Sequence, residues 1–242
     1  MADASTLATQ GPTKQEPTNR RVRALLGGQW IFDTLDAVYV WERKFYPLYY
    51  VPVAAVLAGP GKLDKNAGPA TDGVVLGTLT SNDQTATVTI FEAGPLAGLA
   101  KVAGETLEWY AEDEKLLGSH PKDPYSRIEC LPSSRPVRIE LGGTVLAEST
   151  NSVFLHETHL RTRYYLSPTS VKDWSVLKPS ETTTFCPYKG QARYYHVVLP
   201  DGREVKDGVW YYPFPTQESA TIQSRLSFYN EKFDVFVDGV KE

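Results

Sequence analysis

Val137-Arg138-Ile139-Glu140-Leu141, then Gly142-Gly143, then Thr144-Val145-Leu146-Ala147: two alternating runs joined by two glycines. Alternation of apolar and polar residues is the period of a half-buried strand. Two glycines between such runs supply the positive φ angles of a tight hairpin turn. The same device stands 115 residues earlier, where Val22–Leu26 and residues 29–32 flank Gly27-Gly28. Setting residues 20–56 over residues 135–171 without gaps gives eleven identities: Arg20, Val22, Arg23, Leu26, Gly27, Gly28, Val38, Glu42, Tyr49, Tyr50 and Val56. Asp33 over Glu148, Thr34 over Ser149 and Tyr39 over Phe154 are conservative. Later, Trp109-Tyr110-Ala111-Glu112 lies over Phe228-Tyr229-Asn230-Glu231 at an offset of 119. A shared GG turn, acidic position and Tyr-Tyr in register predict two tandem copies of one domain of about 110 residues.

Working outward, the second copy continues with short β-rich segments at residues 153–157 and Arg163–Leu166. Residues 191–199 then alternate strongly and turn at Pro200-Asp201-Gly202 toward a strand ending near Tyr212. That period puts Arg193, Tyr195 and Val197 on one face, with Tyr194, His196 and Val198 on the other. Thr216 as N-cap, with Ile222, Leu226, Tyr229 and Phe233 at helical spacing, predicts one helix closing this copy. Its equivalent in the first copy is expected over residues 105–112. The fold class is therefore mainly β, a β-rich α+β with one short helix per copy. The two copies are expected to pack as an internal pseudo-dimer, which makes a monomer sufficient.

The domain plan follows. Residues 1–19, polar and containing Pro, read as a disordered arm without the apolar stretch of a signal peptide. Residues 20–120 form a degenerate first repeat, 121–134 a Pro-containing connection, and 135–242 the second repeat. The chain has 242 residues, 41% of them hydrophobic and 22% charged, which is enough for a real core and excludes disorder throughout. A net charge of −4 argues against a general nucleic-acid grip, and no run is long enough for a membrane-spanning helix. Two cysteines, Cys130 and Cys186, with no N-glycosylation sequon fit a reduced, cytoplasmic setting; a single Cys130–Cys186 disulfide is the alternative.

Chemistry concentrates in the second copy. Cys186-Pro187-Tyr188-Lys189-Gly190 describes a tight turn bringing a thiol and an ammonium together, and a neighbouring ammonium favours thiolate. The first copy has a Gly/Pro/Ala-rich stretch there, residues 58–73, and no counterpart. The bland alternative is a structural Cys on a turn whose Lys faces solvent. Glu157 ends an apolar strand, where a carboxylate is costly unless paired, and Arg163 is its expected partner. Glu42 holds the same place in the first copy, so that carboxylate also has a structural reading. Trp210-Tyr211-Tyr212-Pro213 adds aromatic mass that suits either a flat ligand or a Tyr-rich core. His156-Glu157-Thr158-His159 lacks the i, i+4 geometry of a zinc helix, so no metal is expected. No nucleotide-binding glycine motif or nucleophile elbow is present.

These residues resemble the domain-of-unknown-function 427 family in its tandem two-domain form. The likeness rests on Val40-Trp41-Glu42, Trp109-Tyr110-Ala111-Glu112-Asp113-Glu114, His120-Pro121-Lys122-Asp123-Pro124-Tyr125, Arg163-Tyr164-Tyr165, the CPYKG motif, and Trp210 with Tyr212-Pro213. It implies a compact β-rich domain with a tent-like sheet arrangement and a degenerate first copy. A nucleotidyltransferase-like label attaches to the family, without a supporting motif here. Where the family usually reads Glu-Thr-Gly-Leu-Pro, this chain reads Glu157-Thr158-His159-Leu160-Arg161, which makes His159 a candidate for tuning a pocket.

Two functions are open at this stage. The first is a cofactor-independent enzyme acting on a small anionic or carbonyl-bearing metabolite in a pocket of the second domain. Cys186, Lys189 and Glu157 would be catalytic, with Arg163, Tyr164, Tyr165, Tyr188, Trp210 and His159 holding the ligand. The second is a non-catalytic small-molecule-binding or scaffold protein. Both take a small-molecule ligand, and neither calls for a cofactor, nucleic acid or membrane.

Overall fold

The computed structural model describes residues 3–65, 72–118 and 120–242. The chain divides into two units, 1–123 and 124–242. The first carries helix α1 (Ala4–Gln10), then β1 (Lys14–Pro17), β2 (Val22–Leu26), β3 (Gln29–Thr34), β4 (Val38–Trp41) and β5 (Leu48–Pro52). Helix α2 (Val53–Ala58) follows, then β6 (Lys62–Lys65), β7 (Val74–Ser81), β8 (Gln84–Phe91), β9 (Leu99–Ala103), β10 (Glu108–Ala111) and β11 (Glu114–Lys115). The second carries β12 (Ile128–Ser133), β13 (Val137–Leu141), β14 (Thr144–Ser149), β15 (Ser152–Glu157), β16 (Arg163–Leu166) and β17 (Leu177–Cys186). It ends with β18 (Gly190–Val198), β19 (Glu204–Tyr211), β20 (Leu226–Phe228), β21 (Asp234–Val237) and β22 (Val240–Lys241).

Each unit is a seven-stranded and a four-stranded antiparallel sheet. The orders are β1-β4-β5-β9-β8-β7-β6 and β11-β10-β2-β3 in the first, β12-β15-β16-β20-β19-β18-β17 and β14-β13-β21-β22 in the second. Strand for strand, these are the same orders. The GG hairpins are present in both, with φ of +57° and +76° at Gly27 and Gly28, and +53° and +82° at Gly142 and Gly143. Positive φ at both central residues matches the right-handed twist of the flanking strands.

The main core of each unit lies between its two sheets. In the second unit it gathers Val137 and Ile139 of β13, Phe154 and Leu166 of the large sheet, and Phe228, Phe233 and Val235. The opposite face of each large sheet holds a smaller cluster. In the first unit this is Val40, Tyr50, Val74, Phe91 and Leu96, closed by Leu7 and Ala8 of α1. In the second it is Val153, Leu155, Tyr165, Ala192, Tyr194, Trp210 and Tyr212, closed by Ile222.

Several expectations are corrected. Residues 4–17 of the arm are ordered. Asp3 caps α1 through Thr6 N–H, and β1 pairs antiparallel with β4. Two apolar side chains suffice to dock it, because Gly94, at φ +75°, leaves room for the Ala8 carbonyl where a Cβ would sit 1.8 Å from its oxygen. Residues 128–133 are not connection but β12, the counterpart of β1, paired with β15. No helix spans 216–233. A 3-10 helix (Gln217–Ile222) is followed by a turn with Ser224 at φ +56°, and Leu226 lies in β20. Two turns around a three-residue strand reproduce helical spacing without a helix. The helix expected over 105–112 is β10, where Trp109 and Tyr110 pair with Ala24 and Arg23. Register then puts Trp109 opposite Ala24 as Val235 stands opposite Ile139, so the offset-119 match with Phe228 is not a structural one. Of the first-copy stretch 58–73, residues 66–71 lie outside the described residues.

Candidate functional site

The candidate site is built on the outer face of the second unit's large sheet. Residues facing one another across antiparallel strands share a face. Cys130 stands opposite Leu155, Arg163 opposite Leu155, Tyr165 opposite Val153 and Ser227, and Trp210 opposite Ser227 and Tyr194. Glu157, two residues beyond Leu155, continues that face to the end of β15. The CPYKG turn joins β17 to β18, with Cys186 paired to Gly190 and Lys189 N–H donating to the Cys186 carbonyl at 3.3 Å. Its inner side is anchored by the Tyr188 carbonyl, which accepts from the Thr216 hydroxyl and from Ser219 Oγ at 3.0 Å. The 3-10 helix thereby holds the turn over the sheet.

Lys189 Nζ forms an ion pair with Glu157 Oε2, and the two side chains are 12% and 13% exposed. Glu157 is thus satisfied by Lys189 rather than by Arg163. Arg163 instead makes a bidentate pair with Glu231, at 2.8 and 3.0 Å, and donates to Asn230 Oδ1 at 3.0 Å. Its guanidinium also lies 5.6 Å from the Trp210 ring and 5.7 Å from the Tyr229 ring. The reason is placement: Arg163 sits beside the turn after β20, while Glu157 lies at the strand end that the CPYKG turn overhangs. The Arg163 hydrogen bonds hold the Glu231 carboxyl below the usual range against its partial burial.

Tyr165 is fully buried and accepts from Trp210 Nε1 at 3.0 Å. Burial pushes its phenol far up, the Trp210 N–H opposes this, and the neighbouring Cys186, Glu157 and Cys130 add to the rise. Burial likewise raises the Cys130 thiol, against the Thr221 hydroxyl and the Lys189 charge. Both thiols are free.

Of the expected site residues, Tyr165 and Trp210 share the outer cluster, the Lys189–Glu157 pair ties the CPYKG turn with Cys186 and Tyr188 to the end of β15, and Arg163 lies at the margin. Tyr164 faces the other way, into the inter-sheet core, with its ring 4.8 Å from Phe154. His159 is an exposed turn residue at φ +66°. Neither joins the cluster. Sequence reasoning missed Cys130, which it left in the connection; carrying the 115 offset back to β1 would have placed it on a strand. It also missed Ser227, fully buried with a hydroxyl that has no partner among the described residues. A cleft of about 400 Å³ lined by Pro136, Arg138, Glu148 and Phe236 belongs to the four-stranded sheet and contains none of the expected residues.

The first unit repeats the charge but not the thiols. Glu42 pairs with Lys101 and accepts from Tyr50 OH at 3.0 Å. Val51 faces Ala100 as Leu166 faces Leu226, so Lys101 occupies the position of Ser227. The lysine rides on a strand in one unit and on a turn in the other.

A family model described as a domain of unknown function (DUF427) matches residues 14–66 and 129–239, more than half of the chain. The chain belongs to that family. No curated protein matches it. Among the described residues, no helix is long and apolar enough to cross a membrane.

Proposed function

We propose that in this family member the second unit is the functional half, acting without a cofactor on a small anionic or carbonyl-bearing molecule at the CPYKG turn. Cys186 is the nucleophile or proton carrier. On a carbonyl substrate, the S–C bond forms as the thiol proton passes to Glu157, and the carbonyl electron pair moves onto oxygen beside the Lys189 ammonium. Tyr165, Tyr188 and Trp210 wall the site. Arg163, neutralised by Glu231, orients the Trp210 wall rather than clamping an anion.

The observation that supports this reading most is the source of the lysine. Lys101 is carried on a strand, whereas Lys189 is carried on the turn next to Cys186. An incoming anion or oxyanion can exchange with Glu157 for Lys189, freeing a carboxylate next to the thiol at the moment of binding. In the first unit no thiol stands beside the corresponding pair.

A non-catalytic binding role is the second reading. It is favoured by the Glu42–Lys101–Tyr50 cluster, which keeps the ion pair with no thiol and so marks the pair as part of the frame. The test is incubation with a panel of small carboxylates, phosphates, aldehydes and ketones, following binding by thermal shift and turnover by NMR. The enzyme reading expects turnover that Cys186→Ser and Lys189→Met both abolish. Binding without turnover, lost only in Lys189→Met, selects the second reading.

A further inference from the structure

Register between the two units exposes a difference in the first unit's core. Val88 faces Val102 as Val209 faces Phe228, so the first unit carries Val102, Ala103 and Gly104 where the second carries Phe228, Tyr229 and Asn230. In the second unit Phe228 meets Phe233 edge-on at 5.5 Å, and both are buried. Residues 102–104 carry no ring. Trp109 stands where the second unit has Val235, and its ring lies 5.3 Å from Phe32 and 6.1 Å from Tyr49. What is left is a cavity of about 230 Å³ between β5, β9 and the β10–β11 hairpin. Its walls include Leu48, Tyr49, Val102, Leu107, Trp109 and Leu116.

We propose that the first unit binds a small, planar, neutral aromatic molecule in this cavity, separately from the CPYKG site. A cavity of ~150 Å³ lined by apolar side chains takes benzene, so this one suits a guest of on the order of ten non-hydrogen atoms. A planar guest is favoured by the two aromatic walls, Tyr49 and Trp109, which both line the cavity and against which a ring can pack stacked or edge-on. Neutrality follows from Lys101, the one charged residue lining the cavity, whose ammonium is already held by Glu42. A charged guest would enter a largely apolar space without a counter-ion of its own. The unit read from sequence as degenerate thus has a site of a different kind.

Indole is a probe of the right size and character. Titrated into the full chain and followed by calorimetry, it is expected to bind saturably at one site. Nuclear Overhauser contacts should run from indole protons to the methyl groups of Leu48, Leu107 and Leu116. Val102→Phe, which installs the second unit's residue, is expected to weaken binding at least tenfold; if that variant does not fold, Leu107→Trp serves the same purpose. Absence of saturable binding, contacts mapping to another part of the chain, or unchanged affinity in the filled variant would each overturn the proposal.

Discussion

Replacing Lys189 with Met leaves the Glu157 carboxylate in a place that is seven-eighths covered, with no cation to answer it. Removing one partner from a fully buried pair costs about 3–5 kcal/mol, because the remaining charge stays desolvated. Here both side chains keep a little solvent, 12% and 13%, so the low end applies, about 3 kcal/mol. Removing both charges in Lys189→Met/Glu157→Gln takes away the stranded carboxylate as well, and about 1 kcal/mol of loss should remain. The double variant should therefore be about 2 kcal/mol more stable than Lys189→Met alone, a non-additivity that a double-mutant cycle reads. Amide exchange on β15 and β16 peptides across a urea series reads the second unit by itself. A single-variant loss under about 1 kcal/mol, with additive losses in the double variant, would mean that water reaches the pair freely. The idea of a turn that delivers a buried charge would then fail.

Leu7→Ala should destabilise the first unit by about 2–3 kcal/mol, since Leu7 is 3% exposed and closes the cluster around Tyr50 and Phe91; thermal unfolding unaffected by it would show that α1 is undocked in solution. Tyr165→Phe strips Trp210 Nε1 of its acceptor in a buried setting and should cost about 1–3 kcal/mol, read by urea denaturation, with no change in fold by circular dichroism. Glu231 has its carboxyl held low by Arg163, so its contribution is complete above the unfolded value and lost as pH falls through the folded one. Glu231→Gln should accordingly flatten the acid limb of the stability curve; an unchanged acid limb would remove Arg163–Glu231 from the stabilising set.

What the sequence carried well was local and periodic. Gly27-Gly28 and Gly142-Gly143 announce hairpins because few other residues take positive φ twice in a row. Alternation in residues 191–198 separates Tyr194 from Arg193 and Tyr195 because a strand's period is two. What failed was whatever tertiary partners decide. Leu7 and Ala8 look negligible in a polar arm until Gly94 opens a seat for the Ala8 carbonyl. Ile222, Leu226, Tyr229 and Phe233 share a helical period by coincidence, the first facing the outer cluster and Leu226 and Phe233 the inter-sheet core. For Glu157, nearness in sequence pointed to Arg163, whereas the actual partner lies 32 residues away across three strands of the sheet. Cys130 stayed hidden because Pro132 and the Pro-rich stretch before it disguise an edge strand as a linker.

Central to the proposed function is a thiol presented by the CPYKG turn beside a lysine carried on the same turn. Cys130 lies on β12 at the edge of the outer cluster, with burial raising its thiol, while Cys186 is on the turn itself. The rates at which iodoacetamide labels the two cysteines of the folded chain, resolved by peptide mass spectrometry at neutral pH, test this directly. The account predicts that Cys186 is modified at least several-fold faster than Cys130, and that Lys189→Met slows it in a chain that remains folded. Equal rates at the two thiols, or faster labelling of Cys130, would contradict it.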